Sequence, residues 1–421
     1  MAVRHLLCAD PVSGWTASRA EGLDRLDAFL PRAGRAYQAD RNHDLGPGQR
    51  DATSLLSPYL ARGLVDEAEV IAAALAAHGP NDAGKFISEV FWRIYFQGHL
   101  EWKPDVWRAY VETRESDLAA LDLNAQRAAA YEAAIGGRTG IDAFDTWVKE
   151  LIETGFLHNH TRMWFSSIWI FTLRLPWTLG ADFFLRHLLD GDAASNTLNW
   201  RWTAGLHTQG KTYLATKANI RRYTSDRFAP EGLAEEAPSL EDAVQLHRRK
   251  DLALADELIH DGPFALLLHE QDTAFETLDL GGRTPDLVIG VSRAAARSSG
   301  AVSAAVTAFT EAAVDDGLRR AEKAFGCPVA VWTEDQTLGG ILAKRGLSTL
   351  AVPWIGEGWL RDALREPLNA HAEALPCARL LRPLQRETWP HAKAGYFGVR
   401  KKIARLIAPH LPKDREQTLP L

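Results

Sequence analysis

The hydrophobic pattern of this chain changes its period near residue 229, and this change limits the folds open to it. In the first part, apolar residues such as Val70, Ile71 and Ala74 recur every three to four positions, as they do on the buried face of a helix. Farther along, short apolar runs alternate with helical stretches, which is typical of a parallel sheet covered on both faces. The sequence therefore predicts an all-α region followed by an α/β region.

We predict three segments. Residues 1–228 form a helical domain of eight or more helices, residues 229–255 a linker with a charged helix that ends at residues 248–250, and residues 256–421 an α/β domain with a mainly parallel sheet. The predicted strands lie at residues 264–268, 287–289, 329–332 and 349–352. The predicted helices of the α/β domain lie at about 301–325, 336–345 and 357–373, with a final basic helix at 397–407.

Composition excludes several classes of protein. Of the 421 residues, 46% are hydrophobic and 24% are charged, as in globular and not disordered chains. The three cysteines form no CxxC pair, which argues against a disulfide scaffold, an all-cysteine zinc site and a four-cysteine iron–sulfur cluster. The net charge of -6 argues against a general polyanion binder, and no apolar run approaches the ~18 residues that span a bilayer. We therefore expect a soluble, cytoplasmic protein.

Tryptophan is the unusual residue, because ten of the 14 lie between Trp15 and Trp202. A buried indole is large and its N–H needs a partner, so this clustering predicts an aromatic-walled core or site in the helical region. Residues 205–212 match the phosphate-loop pattern GxxxxGK[ST], but no hydrophobic strand precedes them, and we do not predict a nucleoside triphosphatase. His158 and His160 lack the further ligands that a metal needs, and we predict no metal.

A first polar cluster lies on the helix predicted around residue 90. Glu89, Trp92 and Arg93 stand at i, i+3 and i+4 and therefore share one face. An acid, a flat aromatic ring and a cation on one face suit a planar polar ligand. A surface ion pair beside a core tryptophan would give the same pattern.

Two further helices carry similar clusters. On the first, three residues share a face: Asn159, Arg162 and Met163. On the second, a polar or aromatic residue recurs every four positions: Asp192, Asn196 and Trp200. Asp190, which precedes the second helix, needs a cation if it is buried, and Arg162 is an available partner.

Hydroxyl side chains stand before a fourth predicted helix. Thr53, Ser54 and Ser57 lie where free backbone N–H groups of a helix start can bind an anion. A capped helix without a ligand would have the same sequence.

Taken in order, these segments resemble the FAD-binding domain of the photolyase/cryptochrome family. Residues 53–60 resemble its TSxLSPYL motif and residues 89–96 its SExxWRxFY motif. Residues 154–163 resemble TGxxHNRxRM, and residues 190–202 resemble DGDxAxNxxxWxW. The family usually carries its α/β antenna domain first, so this chain resembles a circular permutation, or a family member with a different appended domain.

The resemblance implies FAD as cofactor and assigns a role to each matching residue. The pyrophosphate would be held by Thr53, Ser54, Leu55 and Ser57, with Tyr37 nearby. The flavin and ribose would be contacted by Asp190, Asp192 and Asn196, with Arg162 paired to Asp190. The substrate cavity would be lined by Glu89, Asn159, Met163, Trp92 and Trp202. The first two members of the electron relay would be Trp200 and Trp177, and the distal third member has no evident counterpart.

The function implied is light-driven repair of cyclobutane pyrimidine dimers by an electron from reduced FAD, with damaged DNA as the partner. The cations expected at the DNA-facing rim are Arg93, Lys211, Lys217, Arg221 and Arg222. The alternative is a cryptochrome-like blue-light receptor without repair activity, which would act on a signalling partner. The resemblance also leaves room for a second, antenna chromophore that the sequence does not identify.

Overall fold

The computed structural model describes residues 14–241, 248–252, 254, 261–374 and 376–411, without the side chains of residues 371–374. Part of the predicted charged helix, residues 242–247, lies outside these ranges, and residues 248–250 are irregular. Among the described residues, no helix combines the length and the apolar character needed to cross a membrane.

The first region is helical, as predicted. Its described residues form twelve α-helices: α1 (Arg19–Phe29), α2 (Arg35–Asp40), α3 (Ser57–Ala61), α4 (Glu67–Asp82), α5 (Gly84–Trp102), α6 (Pro104–Asp122), α7 (Ala125–Ile135), α8 (Asp142–Thr154), α9 (Asn159–Ser167), α10 (Trp177–His187), α11 (Ala193–Thr203) and α12 (Lys217–Tyr223). Local chemistry fixes several ends: Asp66 and Glu69 form a capping box at the start of α4, and Gly155 ends α8 with a φ of 65°.

The second region is a five-stranded sheet in which all strands are parallel. The strands are β1 (Phe264–His269), β2 (Leu287–Val291), β3 (Val329–Val331), β4 (Thr349–Pro353) and β5 (Cys377–Leu380), in the order β3-β2-β1-β4-β5. Every residue of β1, β2 and β4 is buried, as expected of strands covered on both faces. The structure confirms the four predicted strands and adds β5, which is too short for its period to be evident.

The helices of the second region follow the prediction except at the end. They are α13 (Ala304–Phe325), α14 (Leu338–Ala343), α15 (Trp359–Ala374), α16 (Pro383–Thr388), α17 (Phe397–Arg400) and α18 (Ile403–Ile407). The prediction of one continuous basic helix at 397–407 is wrong, because the chain turns at Lys401 and Lys402. Lys401 and Arg405 would be like charges four positions apart, which disfavours a continuous helix.

A buried charged junction joins the two regions behind the loop that precedes α11. Arg62, at the end of α3, donates to the backbone oxygen of Gly191 (2.6 Å) and lies 3.8 Å from a carboxylate oxygen of Glu270, which follows β1. Trp359 donates to the same carboxylate at 2.9 Å. Burial, and then the nearby Arg297, lowers the pKa of Arg62 to about 9. The sheet therefore supports the 190–192 loop from behind.

Candidate functional site

Helix α11 presents the polar face predicted for it. The carboxylate of Asp192 caps the helix by accepting from the backbone N–H of Ser195 at 2.7 Å. One turn later, the side-chain amide of Asn196 donates to the backbone oxygen of Ala181 at 2.8 Å, which fixes its orientation. Trp200 follows after another turn and is 2% exposed. These three residues form one wall of a cavity.

The ion pair expected between Arg162 and Asp190 is present. Arg162, on α9, donates Nη2 to Oδ2 of Asp190 at 2.7 Å and Nε to the backbone oxygen of Leu157 at 3.0 Å. Asp190 is 8% exposed, and its second oxygen, Oδ1, is buried without a hydrogen-bond partner in the described structure. A buried acceptor in this condition needs a donor from a ligand or water.

The cavity lies among α9, α10 and α11. It is lined by Asn159, Arg162, Met163, Ser166, Phe184, Leu188, Asp190, Gly191, Asp192, Ser195, Asn196, Asn199, Trp200, Trp202 and Thr203. Asn159 is exposed, and Met163 and Trp202 are half-buried, so these three lie towards solvent while Asn196 and Trp200 lie deeper. Trp202 stacks on Tyr213 with 5.5 Å between ring centroids.

These residues fit a flavin. A planar ring that donates an N–H and has a large apolar face would satisfy Asp190 Oδ1 and pack on the indoles. The N–H of Trp200 is also buried without a partner among the described residues. Asp190, Asp192 and Asn196 are the residues that would hold the ring and its sugar chain.

The expected pyrophosphate residues lie just before and at the start of α3. Leu55 has a φ of 54°, a left-handed conformation that costs a non-glycine residue about 1–3 kcal/mol and is typical of ligand-binding turns. Thr53 donates to the backbone oxygen of Arg50 (2.9 Å), and Ser54 accepts from the N–H of Leu56 (3.4 Å). Ser57 is the first residue of α3.

Arg93 connects these two parts of the site. It lies 3.3 Å from a carboxylate oxygen of Asp192 and donates to the backbone oxygen of Leu60 in α3 (3.3 Å) and to Glu67 (2.9 Å). Its side chain is 14% exposed. Two carboxylates, the buried Glu67 and the half-buried Asp192, hold the Arg93 guanidinium between α4 and the start of α11, and its place at a DNA-facing rim stays a prediction.

The other two residues of the α5 cluster do not line the cavity. Glu89 pairs with Arg41 (3.2 Å) and Lys85 (2.5 Å). Burial raises the pKa of the Tyr37 hydroxyl, and the negative charge of Glu89 raises it further. Trp92 stacks on Tyr396 with 3.8 Å between ring centroids and an interplanar angle of 14°. The five residues predicted to line one substrate cavity are therefore divided between two places.

Tyr396 belongs to a C-terminal segment, residues 389–397, that lies along α5. The carbonyl oxygens of Ala394 and Trp389 accept from Tyr95 (2.7 Å) and Trp102 (2.9 Å). Tyr396 itself donates to the backbone oxygen of Ser88 at 2.7 Å. The sequence held no local signal for this docking, since the partners are about 300 positions apart.

The remaining predicted cations are exposed. Lys217 pairs with Glu231, and Arg221 pairs with Asp226. Arg222 lies over the ring of Tyr223, 5.1 Å from its centroid, and Lys211 is exposed in the turn that precedes them. Exposed pairs of this kind are worth little, so Lys217 and Arg221 can exchange their carboxylates for phosphates.

Trp177, the expected second relay residue, begins α10 and is half-buried. Its ring lies 5.6 Å from that of Tyr110, and the guanidinium of Arg201 lies 5.9 Å from its centroid.

A second cleft lies where the helical region meets the carboxyl ends of β1 and β4. The strand order reverses between these two strands, which is where open α/β sheets bind ligands. Gln385 and Trp389 line the cleft, and each has a buried polar atom, Oε1 and Nε1, without a hydrogen-bond partner among the described residues.

Comparisons with known proteins agree with the resemblance. Residues 86–232 match the family model described as the FAD binding domain of DNA photolyase. A deoxyribodipyrimidine photo-lyase of Agrobacterium fabrum is 34% identical over 194 residues, which cover 45% of this chain and 39% of that protein. One of Thermus thermophilus is 32% identical over 243 residues, covering 55% and 54%.

A solved structure, a bacterial class III photolyase from Agrobacterium tumefaciens, is 29% identical and covers 52% of this chain and 47% of that chain, with a TM-score of 0.43. The chain spans about half or less of the length of these relatives. The family match ends at residue 232, so the placement of an antenna-like domain behind the FAD domain stays a prediction.

Proposed function

We propose, on the premise that residues 86–232 are a FAD-binding domain of the photolyase/cryptochrome family, that this chain is a light-driven DNA photolyase for cyclobutane pyrimidine dimers. The main support for the proposal is the cavity beside α11, whose walls include the Arg162–Asp190 ion pair and the side chains of Asp192 and Asn196. DNA as the substrate agrees with the cytoplasmic location predicted from the sequence.

When bound, reduced FAD supplies one electron on excitation by light, and the protein positions the reactants. Asp190, held by Arg162, would accept a hydrogen bond from an N–H of the ring. Asn196 is fixed because its amide nitrogen donates to the backbone oxygen of Ala181, and its side-chain oxygen takes no part in that bond. A dimer must leave the duplex to reach a cavity. Asn159, Met163 and Trp202 would receive it, since they lie at the solvent side.

The test is spectroscopic and then enzymatic. The purified chain should be yellow or blue and should release FAD on denaturation, and blue light should restore dimer-containing single-stranded DNA. Asp192→Ala with Asn196→Ala should weaken flavin retention, whereas Glu153→Ala, an exposed residue of α8, should not. A colourless chain that takes up no added FAD contradicts the proposal.

The second candidate is a blue-light receptor without repair activity. The arrangement of α5 favours it, because Trp92 is already stacked on Tyr396 and Glu89 is already paired with two cations. A chain that holds FAD and responds to light, but binds damaged and undamaged strands equally weakly, would be the receptor. The partner would then be a signalling protein.

The second cleft is where we would place a second chromophore. The unpartnered atoms of Gln385 and Trp389 support a polar ligand there. Release of a second coloured compound along with FAD would test this assignment, and Gln385→Ala should reduce its amount.

A further inference from the structure

Two buried arginines lie against the loop at residues 188–192. Arg62, at the end of α3, is 1% exposed and donates Nη2 to the backbone oxygen of Gly191 at 2.6 Å. Arg297, which follows β2, is fully buried and donates Nη1 to the backbone oxygen of Leu188 at 3.3 Å. The two guanidinium groups therefore hold the loop by its carbonyl oxygens, and neither of them is among the residues that line the cavity beside α11.

Arg297 can approach the loop closely because residue 191 is a glycine. A Cβ on Gly191 would lie 3.1 Å from Nη1 of Arg297, closer than side chains normally pack. Gly191 stands between Asp190 and Asp192, so the guanidinium lies beside the stretch of chain that carries both acids. Burial lowers the pKa of Arg297, and the negative charges of Glu270 and of the two loop aspartates oppose this effect. The cation and the acids of the loop therefore act on each other.

One carboxylate serves both of these cations. Glu270, which follows β1, is fully buried, and its Oε1 lies 3.8 Å from Nη1 of Arg62. Its other oxygen accepts from the hydroxyl group of Ser292 at 2.8 Å. Burial raises the pKa of Glu270, but the charges of Arg297 and Arg62 outweigh this and lower the pKa below its ordinary value. At neutral pH both arginines keep their protons, so the charged triad of Arg62, Arg297 and Glu270 carries one net positive charge.

The other charged groups around the loop do not supply such a surplus. Arg162 pairs with Asp190, and Arg93 lies between Asp192 and Glu67. These five side chains contain more carboxylates than guanidinium groups. A ring that gains negative charge is disfavoured by such surroundings, because like charges repel. The positive charge of the triad offsets this repulsion, and it acts across the loop because the buried junction screens charge less than water does.

We propose that the charged triad raises the reduction potential of the flavin from behind the loop, and that the sheet region thereby controls the electron chemistry of the helical region. The inference rests on the proposed binding of FAD. The step concerned adds two electrons from an external reductant and one proton from water to the oxidised flavin, which leaves the ring with one more negative charge. The three residues of the triad are positioning residues, since they act through the loop. Two of them, Glu270 and Arg297, belong to the sheet region.

The experiment measures the reduction potential of the flavin in charge variants of the full chain loaded with FAD. The chain is titrated with dithionite in the dark, beside a dye of known potential. Glu270→Gln should raise the ratio of reduced to oxidised flavin at a fixed potential by about tenfold, which is ~30 mV for a two-electron couple. Arg62→Gln and Arg297→Gln should each lower that ratio by about as much. The opposite signs are decisive, because damage to packing alone gives no reason for the shift to follow the charge.

Asp316→Asn is the matched control. Asp316, on α13, is a mostly buried carboxylate that also joins the two regions, since it accepts from the backbone N–H of Arg19 (3.1 Å) and from Arg320 (2.7 Å). It lies six residues beyond Thr310, which accepts from Arg297, and is therefore farther from the loop. This variant should change the ratio of reduced to oxidised flavin by less than about twofold. Glu270→Asp keeps the charge and should do the same.

Shifts of the same sign in Glu270→Gln and in the two arginine variants overturn the inference, and so do shifts no larger than that of Asp316→Asn. If one arginine variant fails to fold, the other gives the same sign independently. If Glu270→Gln fails to fold, a lowered potential in both arginine variants, against none in the control, supports the triad. A chain that holds FAD but whose potential ignores these substitutions contradicts this inference alone, whereas a chain that binds no FAD contradicts the proposed function.

Discussion

The cavity beside α11 and the outer face of α5 both carry residues that match motifs of the same family, but the surroundings of these residues differ. Beside α11, Asp190 Oδ1 and the N–H of Trp200 are buried without partners among the described residues, and space remains for a ligand. On α5, Glu89 and Trp92 already have partners within the chain. A residue type that fits a function therefore indicates a site only where its binding capacity is still free.

Acid should have its largest effect on the α5 face through two histidines that lie against each other. Burial lowers the pKa of His99 to about 4, and burial followed by His99 lowers that of His207 to about 3. Both lie by the docked C-terminal segment, where His99 contacts the carbonyl oxygen of Ala392 (2.9 Å). Below the ordinary value of 6.5 the unfolded chain binds more protons than the folded one, so stability present at pH 7 is lost as the pH falls towards 4.

The expected loss between pH 7 and pH 5 is up to about 4 kcal/mol for both histidines, at 1.36 kcal/mol per pKa unit. Urea unfolding of the wild type and of His207→Gln across this range measures it. The variant's curve should be flatter; parallel curves would mean that His207 titrates normally in the folded chain.

The open cavity should depend on the ion pair between Arg162 and Asp190. Arg162→Ala removes the cation that is hydrogen-bonded to the buried Asp190. We expect a loss of about 3 kcal/mol in the free energy of unfolding, the lower end of the range for broken buried pairs, because Arg162 is half-buried and the charges of Arg93 and Arg297 still act on Asp190. Urea unfolding of the cofactor-free chain measures this. Arg127→Ala, at an exposed position, is the control. A loss as small as the control's would show that the Arg162–Asp190 pair does not stabilise the cavity.

Removing the ring that covers Trp92 should make the α5 face resemble the open cavity. Tyr396→Ala frees one face of the indole, and base stacking is worth about 1–3 kcal/mol. Binding of dimer-containing single-stranded DNA should therefore strengthen by about tenfold, which is ~1.4 kcal/mol. Tyr396→Phe keeps the ring and should bind like the wild type. Equal affinities in all three chains would remove Trp92 from the substrate contacts.

The exposed cations should have the smallest effect on the fold. Neutralising Arg221 and Arg222 together should change the free energy of unfolding by less than about 0.5 kcal/mol. The double substitution should weaken DNA binding. It should also reduce the slope of the logarithm of the binding constant against the logarithm of the salt concentration by about one for each phosphate that the variant no longer binds. Titrations at two or three salt concentrations decide this, and an unchanged slope would leave these arginines as solvated surface charges.

The sequence predicts the structural features that depend on residues close together in the chain. The periods of the strands, the Asp192 cap of α11 and the spacing of Asp192, Asn196 and Trp200 are local features, and all are present. The inward turn of Arg93 depends on two carboxylates from other elements. The covering of Trp92 depends on a residue about 300 positions away. Neither has a local pattern, because packing in three dimensions selects the partner.

The long separation between α5 and the C-terminal segment bears on how the chain is made. Trp92, Tyr95 and Trp102 leave the ribosome long before Trp389, Ala394 and Tyr396 exist. Translation at about 5–20 residues per second separates them by tens of seconds. During that interval an aromatic strip of α5 stays uncovered, and closing so long a loop is slow. Chaperones that hold exposed aromatic surface should therefore engage the helical region until the last strand and its following segment have been synthesised.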